Sequence, residues 1–326
     1  MTVSVCMGVY NGERYIEEQL KSILSQTRQA DEVILCDDNS TDKTVEIIRN
    51  FIKHYDLQNK WKLYKNEVNK GYPGNFYYAM KLAAGDIVFL ADQDDVWHEK
   101  KLELMCQAFE EDRDAVALSC KFGLINGEGK NIHTLMSPTH STGTGKLRDV
   151  TLREVFYKCQ WPGMVLAYRN EWYKRRVEPL TLVKGGGFLQ IPHDFLICAT
   201  AAEEDGFRQM DSELAFHRRH DQNTGKEEHH ISKLLDKQRK QEEIEDYLEI
   251  LKNFDTAGIL KTPEGREAHR QKTVSMQGRL KALQSGKISA VLHNAWENRK
   301  EVRIATIVCD LLIVKQGRTN EETHYN

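Results

Sequence analysis

The run Asp92-Gln93-Asp94-Asp95 places three carboxylates within four residues, directly after an apolar segment. Carboxylates this close repel one another, so a bound cation is the simplest way to neutralise them. Carboxylate oxygens on a loop suit Mg²⁺ or Mn²⁺, which commonly complete their coordination with substrate phosphates. The structural alternative is a turn that caps a helix beginning near Trp97.

A second acidic cluster follows another apolar segment. Residues 33–36 lead into Asp37 and Asp38, and either Thr41 or Asp42 can cap the helix that comes next. In a parallel sheet the carboxyl ends of the strands meet at one edge, where ligands usually bind. Two acidic strand ends in one cleft are hard to explain by helix capping alone.

The elements that would position these residues alternate along the first half of the chain. Short apolar segments are separated by stretches with helical spacing of their apolar residues. The expected strands cover residues 3–9, 32–36, 61–64, 86–91 and 115–122. This alternation predicts an α/β fold with a Rossmann-like, mostly parallel sheet covered by helices on both faces.

The second half of the chain has a different amino-acid composition. Residues 126–149 contain few apolar side chains, which predicts a long loop that is either a lid or acceptor-binding element or a disordered excursion. Beyond residue 225, charge-rich amphipathic stretches predict a C-terminal helical appendage. We therefore expect a catalytic domain over 1–225, with a nucleotide-binding half over about 1–125 and an acceptor half over about 126–225, and a helical region over 226–326.

Composition excludes some classes of protein. The net charge of −3, spread over both signs, gives no field that would attract nucleic acid. The seven cysteines are odd in number and form no Cys-x-x-Cys pair, which indicates buried thiols in a reducing compartment, with no disulfides and no structural zinc. The N-terminus has no signal-peptide pattern, so a cytoplasmic location is expected.

The last apolar stretch, residues 304–314, is too short to span a bilayer. Basic residues on both sides of it suit a location at the inner face of a membrane. The alternative is a helix that packs on its own domain.

Taken together, the polar motifs resemble those of family 2 glycosyltransferases with the GT-A fold, over roughly residues 3–225. The resemblance rests on the order and spacing of the motifs, since each alone is weak. The motifs are Val9-Tyr10-Asn11-Gly12 with Tyr15-Ile16, Ser25-Gln26-Thr27 ahead of Glu32-Val33-Ile34, Asp37-Asp38-Asn39-Ser40-Thr41-Asp42, Asn69-Lys70-Gly71, Gly85-Asp86, Asp92-Gln93-Asp94-Asp95-Val96-Trp97, His193-Asp194, and His220-Asp221-Gln222-Asn223-Thr224-Gly225. The acidic run together with His193-Asp194 is most similar to bacterial rhamnosyltransferase-type members.

The resemblance implies a role for each matching position. Asp194 would be the catalytic base, and Asp94 would bind Mn²⁺ or Mg²⁺ together with Asp92 and His220. The residues implied to bind the nucleotide-sugar are Val9, Tyr10, Asn11, Glu13, Asp38, Asn69, Lys70, Gly71, Asp92, Gln93, Trp97, His193 and Arg219.

Three of these positions have a structural alternative. Asp194 can instead cap a helix over 195–202. His220 can belong to a solvated basic run, with Arg218 or Arg219 contacting the diphosphate in its place. Trp97 can pack in the core.

The function implied is an inverting, metal-dependent transfer of a sugar from dTDP-rhamnose or a UDP-sugar to a glycan or lipid-linked glycan in bacterial surface polysaccharide synthesis. A sugar-phosphate nucleotidyltransferase is the alternative enzyme, but it would need a Gly-rich basic loop where residues 9–13 lie. A dehydrogenase is disfavoured because no Gly-x-Gly-x-x-Gly follows the first strand. A noncatalytic nucleotide-sugar-binding protein is a further alternative, against which Asp94 and Asp194 argue.

Overall fold

A computed structural model describes residues 1–132, 141–158, 160–181, 190–220 and 235–323, with the side chains of the last helix described to residue 316. The chain divides into two compact units. The first contains residues 1–151 and 159–220, and the second contains residues 152–158 and 221–326.

The first unit is built from alternating strands and helices. Its strands are β1 (Val3–Val9), β2 (Glu32–Asp37), β3 (Trp61–Lys65), β4 (Ile87–Asp92), β5 (Val96–Trp97), β6 (Ala117–Asn126), β7 (Leu147–Asp149), β8 (Leu166–Arg169) and β9 (Phe207–Arg219). Its helices are α1 (Ile16–Leu24), α2 (Thr44–His54), α3 (Gly71–Leu82), α4 (Lys101–Glu111), α6 (Asn170–Arg176) and α7 (His193–Glu203), with 3₁₀ turns at Gly163–Val165 and Glu178–Leu180.

These strands form one mixed sheet in the order β3-β2-β1-β4-β8-β6-β9-β5, with β7 paired to β9. Strands β1 to β4 are parallel to one another, whereas β8 runs antiparallel to β4 and β6. Residues 87–91 of β4 are fully buried, as expected for a central strand covered on both faces. The predicted α/β sheet is confirmed.

The register of the parallel strands brings the acidic strand ends together. Val9 at the end of β1 lies beside Asp37 of β2, and Gly8 lies beside Asp92 of β4. Both acidic clusters therefore lie at the same edge of the sheet, on the two sides of β1.

The structure differs from the predicted elements after β4. Residues 93 and 94 form a turn, Val96–Trp97 is a short strand that pairs with β9, and the next helix begins only at Lys101. A helix cap near Trp97 is therefore ruled out as the role of the acidic run. The predicted loop over 126–149 contains strand β7, because residues 147–149 pair with β9; residues 133–140 lie outside the described residues.

The second unit is helical, and the predicted helical C-terminal region is confirmed. It contains α5 (Leu152–Lys158), α8 (Lys237–Thr256), α9 (Pro263–Ser285), α10 (Ile288–Glu297) and α11 (Ile304–Thr323). Its core includes Ile244, Leu283, Val291 and Ile313. None of the helices in the described ranges is long and apolar enough to cross a membrane.

Helix α5 departs from the predicted domain division, which placed residues 152–158 in the first domain. The Phe156 ring lies 5.7 Å from that of Phe254, and the Tyr247 hydroxyl donates a 3.0 Å hydrogen bond to the Phe156 carbonyl. The apolar face of α5 is thus covered by helices that follow it by about a hundred residues. The predicted boundary at residue 225 lies outside the described residues.

Candidate active site

The loop after β1 is held against the loop after β2 by polar contacts. Asn11 has a positive φ of 46°, and its side-chain oxygen accepts the Thr41 N–H at 2.9 Å. The Asn11 N–H donates to the Ser40 hydroxyl at 3.0 Å, and Glu13 accepts the Lys43 N–H at 3.0 Å. Asn11 and Glu13, both predicted to bind the nucleotide, thus also fix the shape of the loop.

Asp38 lies at the centre of a buried polar network beside that loop. Its side chain accepts hydrogen bonds from the Asn66 amide at 2.9 Å and from the Lys70 N–H at 2.8 Å. Its backbone N–H donates to Val9 O at 2.8 Å, and its carbonyl accepts from Asn69 at 3.1 Å. The predicted pocket residues Val9, Asp38, Asn69 and Lys70 therefore come together.

Gly71 begins α3 with φ +72°, a conformation in which a side chain would be strained. The turn positions Tyr72, whose residue is 52% exposed. Partial burial raises the pKa of the Tyr72 hydroxyl, and the negative charges of Asp194 and Asp92 raise it further. The phenol thus lies within electrostatic reach of both carboxylates.

Gln93 joins the acidic run to the β1 loop. Its side-chain oxygen accepts the Tyr10 N–H and its side-chain amide donates to the Tyr10 carbonyl, both at 2.9 Å. A Cβ atom at Gly12 would lie only 2.3 Å from the same amide oxygen, so a side chain there would displace the Gln93 amide from Tyr10. Gln93 thus acts on the pocket through the backbone of Tyr10.

The three carboxylates of the acidic run have different environments. Asp95 is fully buried, and its Oδ1 lies 3.0 Å from His217 Nδ1 and accepts the Arg218 N–H at 2.9 Å. Asp94 Oδ2 lies 2.7 Å from His220 Nε2. Asp95 thus anchors the end of β9, while Asp94 and His220 form a carboxylate–imidazole pair.

Asp92 is the last residue of β4 and lies beside Gly8 of β1. Burial raises the pKa of Asp92 well above its usual range, and the charges of Asp95, Asp94 and Asp194 raise it further. A cation bound beside Asp92 would relieve this repulsion.

Asp194 lies in the first turn of α7, whose N-cap is Pro192. Its Oδ1 accepts the Phe195 N–H at 2.7 Å, which is the kind of local contact that the helix-cap alternative predicts. Burial raises the pKa of Asp194 to about 6. The carboxylate is therefore a stronger base than an ordinary aspartate and is still mostly ionised at neutral pH.

His193 and Trp97 are corrected by the structure, since neither ring is accessible to a ligand. His193 is 3% exposed and stacks on Phe76 with ring centroids 4.0 Å apart, and burial lowers the pKa of His193 to about 3. Trp97 is 3% exposed and packs against Phe89 and the Lys101 ammonium. Both support the site by packing.

Within the basic run at the end of β9, Arg218 is buried and the other three residues are half-buried, so the run is not a solvated surface cluster. The Arg218 guanidinium is fully buried, bonds Glu18 at 2.6 Å, and donates to the carbonyls of Asp94 at 2.8 Å and Asn126 at 3.2 Å. Nε of the neighbouring Arg219 is buried and has no hydrogen-bond partner among the described residues, as suits a group that binds an anion.

Replacing Arg218 by Met should destabilise the first unit, because it removes the donor to the Asp94 carbonyl and the buried ion-pair partner of Glu18. Each buried group left without its donor costs about 1 to 3 kcal/mol. Urea unfolding should show the loss as a lower midpoint, whereas Arg113→Met, at an exposed position, should leave the midpoint unchanged. Equal midpoints for Arg218→Met and the unmodified protein would contradict this role.

A family model described as glycosyl transferase family 2 matches residues 4–168, about half of the chain. The chain belongs to this family. The match covers β1 to β4 with both acidic strand ends, and it stops before His193, Asp194 and the end of β9. The family resemblance inferred from the sequence is confirmed.

Known members of the family give the context. The chain is 30% identical to the dTDP-rhamnosyl transferase RfbG of Shigella flexneri over 172 residues, which are 51% of this chain and 54% of that protein. The aligned regions of the first three curated relatives span 39% to 66% of their lengths.

Two solved structures share the fold. Residues 1–349 of S. aureus TarS, in complex with UDP-GlcNAc, match 98% of this chain and 92% of that one, with a TM-score of 0.56 and 18% identity. A Pyrobaculum calidifontis mannosyltransferase in complex with GDP-Man and Mn²⁺ matches 98% of this chain and 86% of that one, with a TM-score of 0.53 and 17% identity. The GT-A fold predicted from the motifs is confirmed.

The described side chains provide only part of the ligands that a divalent ion would need. No group of three or more His, Cys, Asp or Glu side chains among the described residues is arranged to hold an ion by itself. Asp94 and His220 are in contact, and Asp92 lies within electrostatic reach of Asp94. Mg²⁺ and Mn²⁺ sites often use one or two carboxylates and take their other ligands from substrate phosphates and water, so this set fits such an ion.

Four supporting residues of this family 2 site were not identified from the sequence. Asn66 follows β3 directly, and the rule that strand ends face the cleft would have found it. Tyr72 adjoins the Asn69-Lys70-Gly71 motif. His217 and the buried Lys101, which donates to the Met164 carbonyl, have no local sequence signal.

Proposed function

We propose that this chain transfers a sugar from a nucleotide-sugar to the hydroxyl of a glycan or lipid-linked glycan, with a divalent cation and with inversion at the anomeric carbon. The proposal rests on where Asp194 lies relative to the acidic strand ends. The acidic ends of β2 and β4 flank β1, and the ring of His193, which precedes Asp194, stacks on Phe76 beside Gly8 of β1, the residue paired with Asp92. This arrangement supports a diphosphate site at Asp92 and Asp94 and a proton acceptor at Asp194 in the same region.

The donor would lie along the edge of the sheet. The Asp38 network and the β1 loop would hold the nucleoside, because hydrogen bonds within the protein already form them without a bound nucleotide-sugar. The diphosphate would lie beside Asp94, His220 and Arg219. A divalent ion bound there would stabilise the negative charge of the departing nucleotide diphosphate.

Asp194 would accept the proton of the acceptor hydroxyl as that oxygen attacks the sugar. Its partial burial raises its basicity. Tyr72, whose ring centre lies 6.1 Å from that of His193, would lie beside the transferred sugar. Attack from the side opposite the leaving group inverts the configuration.

The donor is proposed to be dTDP-rhamnose or a UDP-sugar. The similarity to a dTDP-rhamnosyl transferase supports the first, and the shared fold with a UDP-GlcNAc complex is compatible with the second. Synthesis of bacterial surface polysaccharide at the inner face of the membrane would be the setting.

Thermal shift with a panel of nucleotide-sugars and Mn²⁺ tests the proposal, because a ligand that binds the folded state raises Tm by mass action. We expect one donor to raise Tm more than its free nucleotide does, and an acceptor extract to increase nucleotide release from that donor. Stabilisation without nucleotide release under any acceptor condition would instead indicate a noncatalytic binding protein.

The pH profile should report Asp194. Because the base must be ionised and burial raises the pKa of Asp194 to about 6, kcat/KM should fall as the pH is lowered through that value, approaching a tenfold loss per pH unit, and level off above it. Initial rates between pH 5 and pH 8, with donor binding measured at each pH, would separate proton transfer from loss of binding. A kcat/KM that stays flat down to pH 5 would contradict this assignment.

A further inference from the structure

Exposed apolar side chains are concentrated on the last two helices of the second unit. Among the described residues, five of the eleven large exposed hydrophobic side chains lie between positions 292 and 312. They are Leu292 (50% exposed), Trp296 (69%), Ile304 (80%), Val308 (50%) and Leu312 (45%). The first two are four residues apart on α10, and the other three are spaced by four on α11, so each helix presents one apolar stripe.

These stripes are separate from the faces that form the core. Val291 on α10 and Ile313 on α11 are 4% and 1% exposed and belong to the core of the unit. The helices are therefore held in place by one side, and the exposed stripes are not needed for that packing. We call the five exposed residues the α10–α11 surface.

The charges around this surface have one predominant sign. Residues 287–316 contain five exposed basic side chains, which are Lys287, Arg299, Lys300, Arg303 and Lys315. Of the three acidic residues in that range, two are buried and paired internally. Glu301 bonds Arg153 at 3.1 Å, and Asp310 bonds Arg279 at 2.7 and 2.8 Å.

Glu297 is the one acidic side chain in this range that is exposed. The outward-facing charge of the range is therefore positive. The Arg299 guanidinium also lies 5.5 Å from the centre of the Trp296 ring, and an aromatic ring beside a cation is a combination suited to the lipid–water interface.

We propose that the α10–α11 surface docks on an anionic lipid bilayer. The apolar stripes would enter the boundary between headgroups and acyl chains, and the basic side chains would contact lipid phosphates. Binding to lipid requires neither a nucleotide-sugar nor sugar transfer, so this proposal goes beyond the proposed function and can be tested independently of it. It would bring the enzyme to lipid-linked acceptors.

Trp296 provides an intrinsic reporter, because the other four tryptophans are at most 5% exposed. Titration of the full chain with phosphatidylcholine vesicles containing phosphatidylglycerol should shift its emission to the blue. The shift should be absent with phosphatidylcholine alone and should weaken as salt increases. Trp296→Phe should remove the shift while cosedimentation with vesicles persists. If the anionic vesicles caused no emission shift and the chain did not cosediment with them, the proposal would be overturned.

Two double variants test the apolar and the electrostatic contributions to lipid binding separately. Ile304→Ser with Val308→Ser, and Arg299→Glu with Lys300→Glu, should each lower the vesicle partition coefficient about tenfold or more. Their controls are Val274→Ser on α9, at a side chain that is 47% exposed, and Lys252→Glu on α8. Equal losses in the controls would show nonspecific adsorption and would overturn the proposal.

A second copy of the chain is the competing occupant of this surface. Sedimentation equilibrium without lipid should give the same mass for the unmodified chain and the Ile304→Ser, Val308→Ser variant. A dimer that this variant dissociates, combined with unchanged vesicle binding, would assign the surface to self-association and overturn the proposal. Circular dichroism of each variant would confirm that the helices are intact.

Discussion

Asp194→Asn is expected to lower kcat by about 100- to 10,000-fold, which is the usual contribution of a positioned base. An amide cannot accept the proton of the acceptor hydroxyl. The amide oxygen can still accept the Phe195 N–H that Oδ1 now accepts at 2.7 Å, so the start of α7 should persist. Steady-state rates and donor affinity by calorimetry would test this, with affinity staying close to that of the unmodified enzyme.

Asp205→Asn is the matched control for this substitution. Asp205 is exposed, follows the same helix, and has a φ of 54° that asparagine also adopts. It should keep full activity and Tm. Unchanged turnover in Asp194→Asn would place the base elsewhere, and a parallel loss of donor affinity would assign Asp194 to donor binding.

Asp94→Ala should abolish the Mn²⁺-dependent part of nucleotide binding together with transfer. It removes the carboxylate that lies 2.7 Å from His220 Nε2 and that we propose as the ligand shared with the ion of the diphosphate. Titration of Mn²⁺ in the presence of the nucleoside diphosphate, followed by thermal shift, would measure the loss. Metal-dependent binding that survives the substitution would contradict the ligand role of Asp94.

Asp95→Asn tests whether Asp95 binds the metal ion or instead holds the end of β9 in place. Because Asp95 Oδ1 bonds His217 and the Arg218 N–H, this substitution should lower Tm while the remaining folded protein still responds to Mn²⁺. If Asp95→Asn lost the Mn²⁺ response at unchanged Tm, the roles assigned to Asp94 and Asp95 would have to be exchanged.

The acidic strand ends were predictable because local patterns determine them. Apolar segments that end in Asp38 and Asp92 identify strands of a parallel sheet, and parallel register requires their ends to share an edge. The positions near β1 could therefore be assigned from the order of the motifs.

The opposite wall of the site depends on pairing between distant segments, which no local pattern encodes. The basic run 217–220 has the composition of a solvated surface, yet β9 pairs with both β6 and β5 and brings the run against Asp94 and Asp95. His193 and Trp97 failed as ligands for a related reason. Their rings are covered by residues from other elements, which the motifs around them do not encode.

The bond between Glu18 and the buried Arg218 joins positions 200 residues apart. During synthesis the N-terminal strands and helices leave the ribosome first, and they can begin to fold while the rest of the chain is still being made. A nascent chain that ends before residue 194 contains Asp38, Asp92 and Asp94 but lacks both the proposed base and the cations of β9. The proposed proton acceptor and the counter-charges are therefore added only late in translation, after strands β1 to β4 have been synthesised, so activity would begin only then.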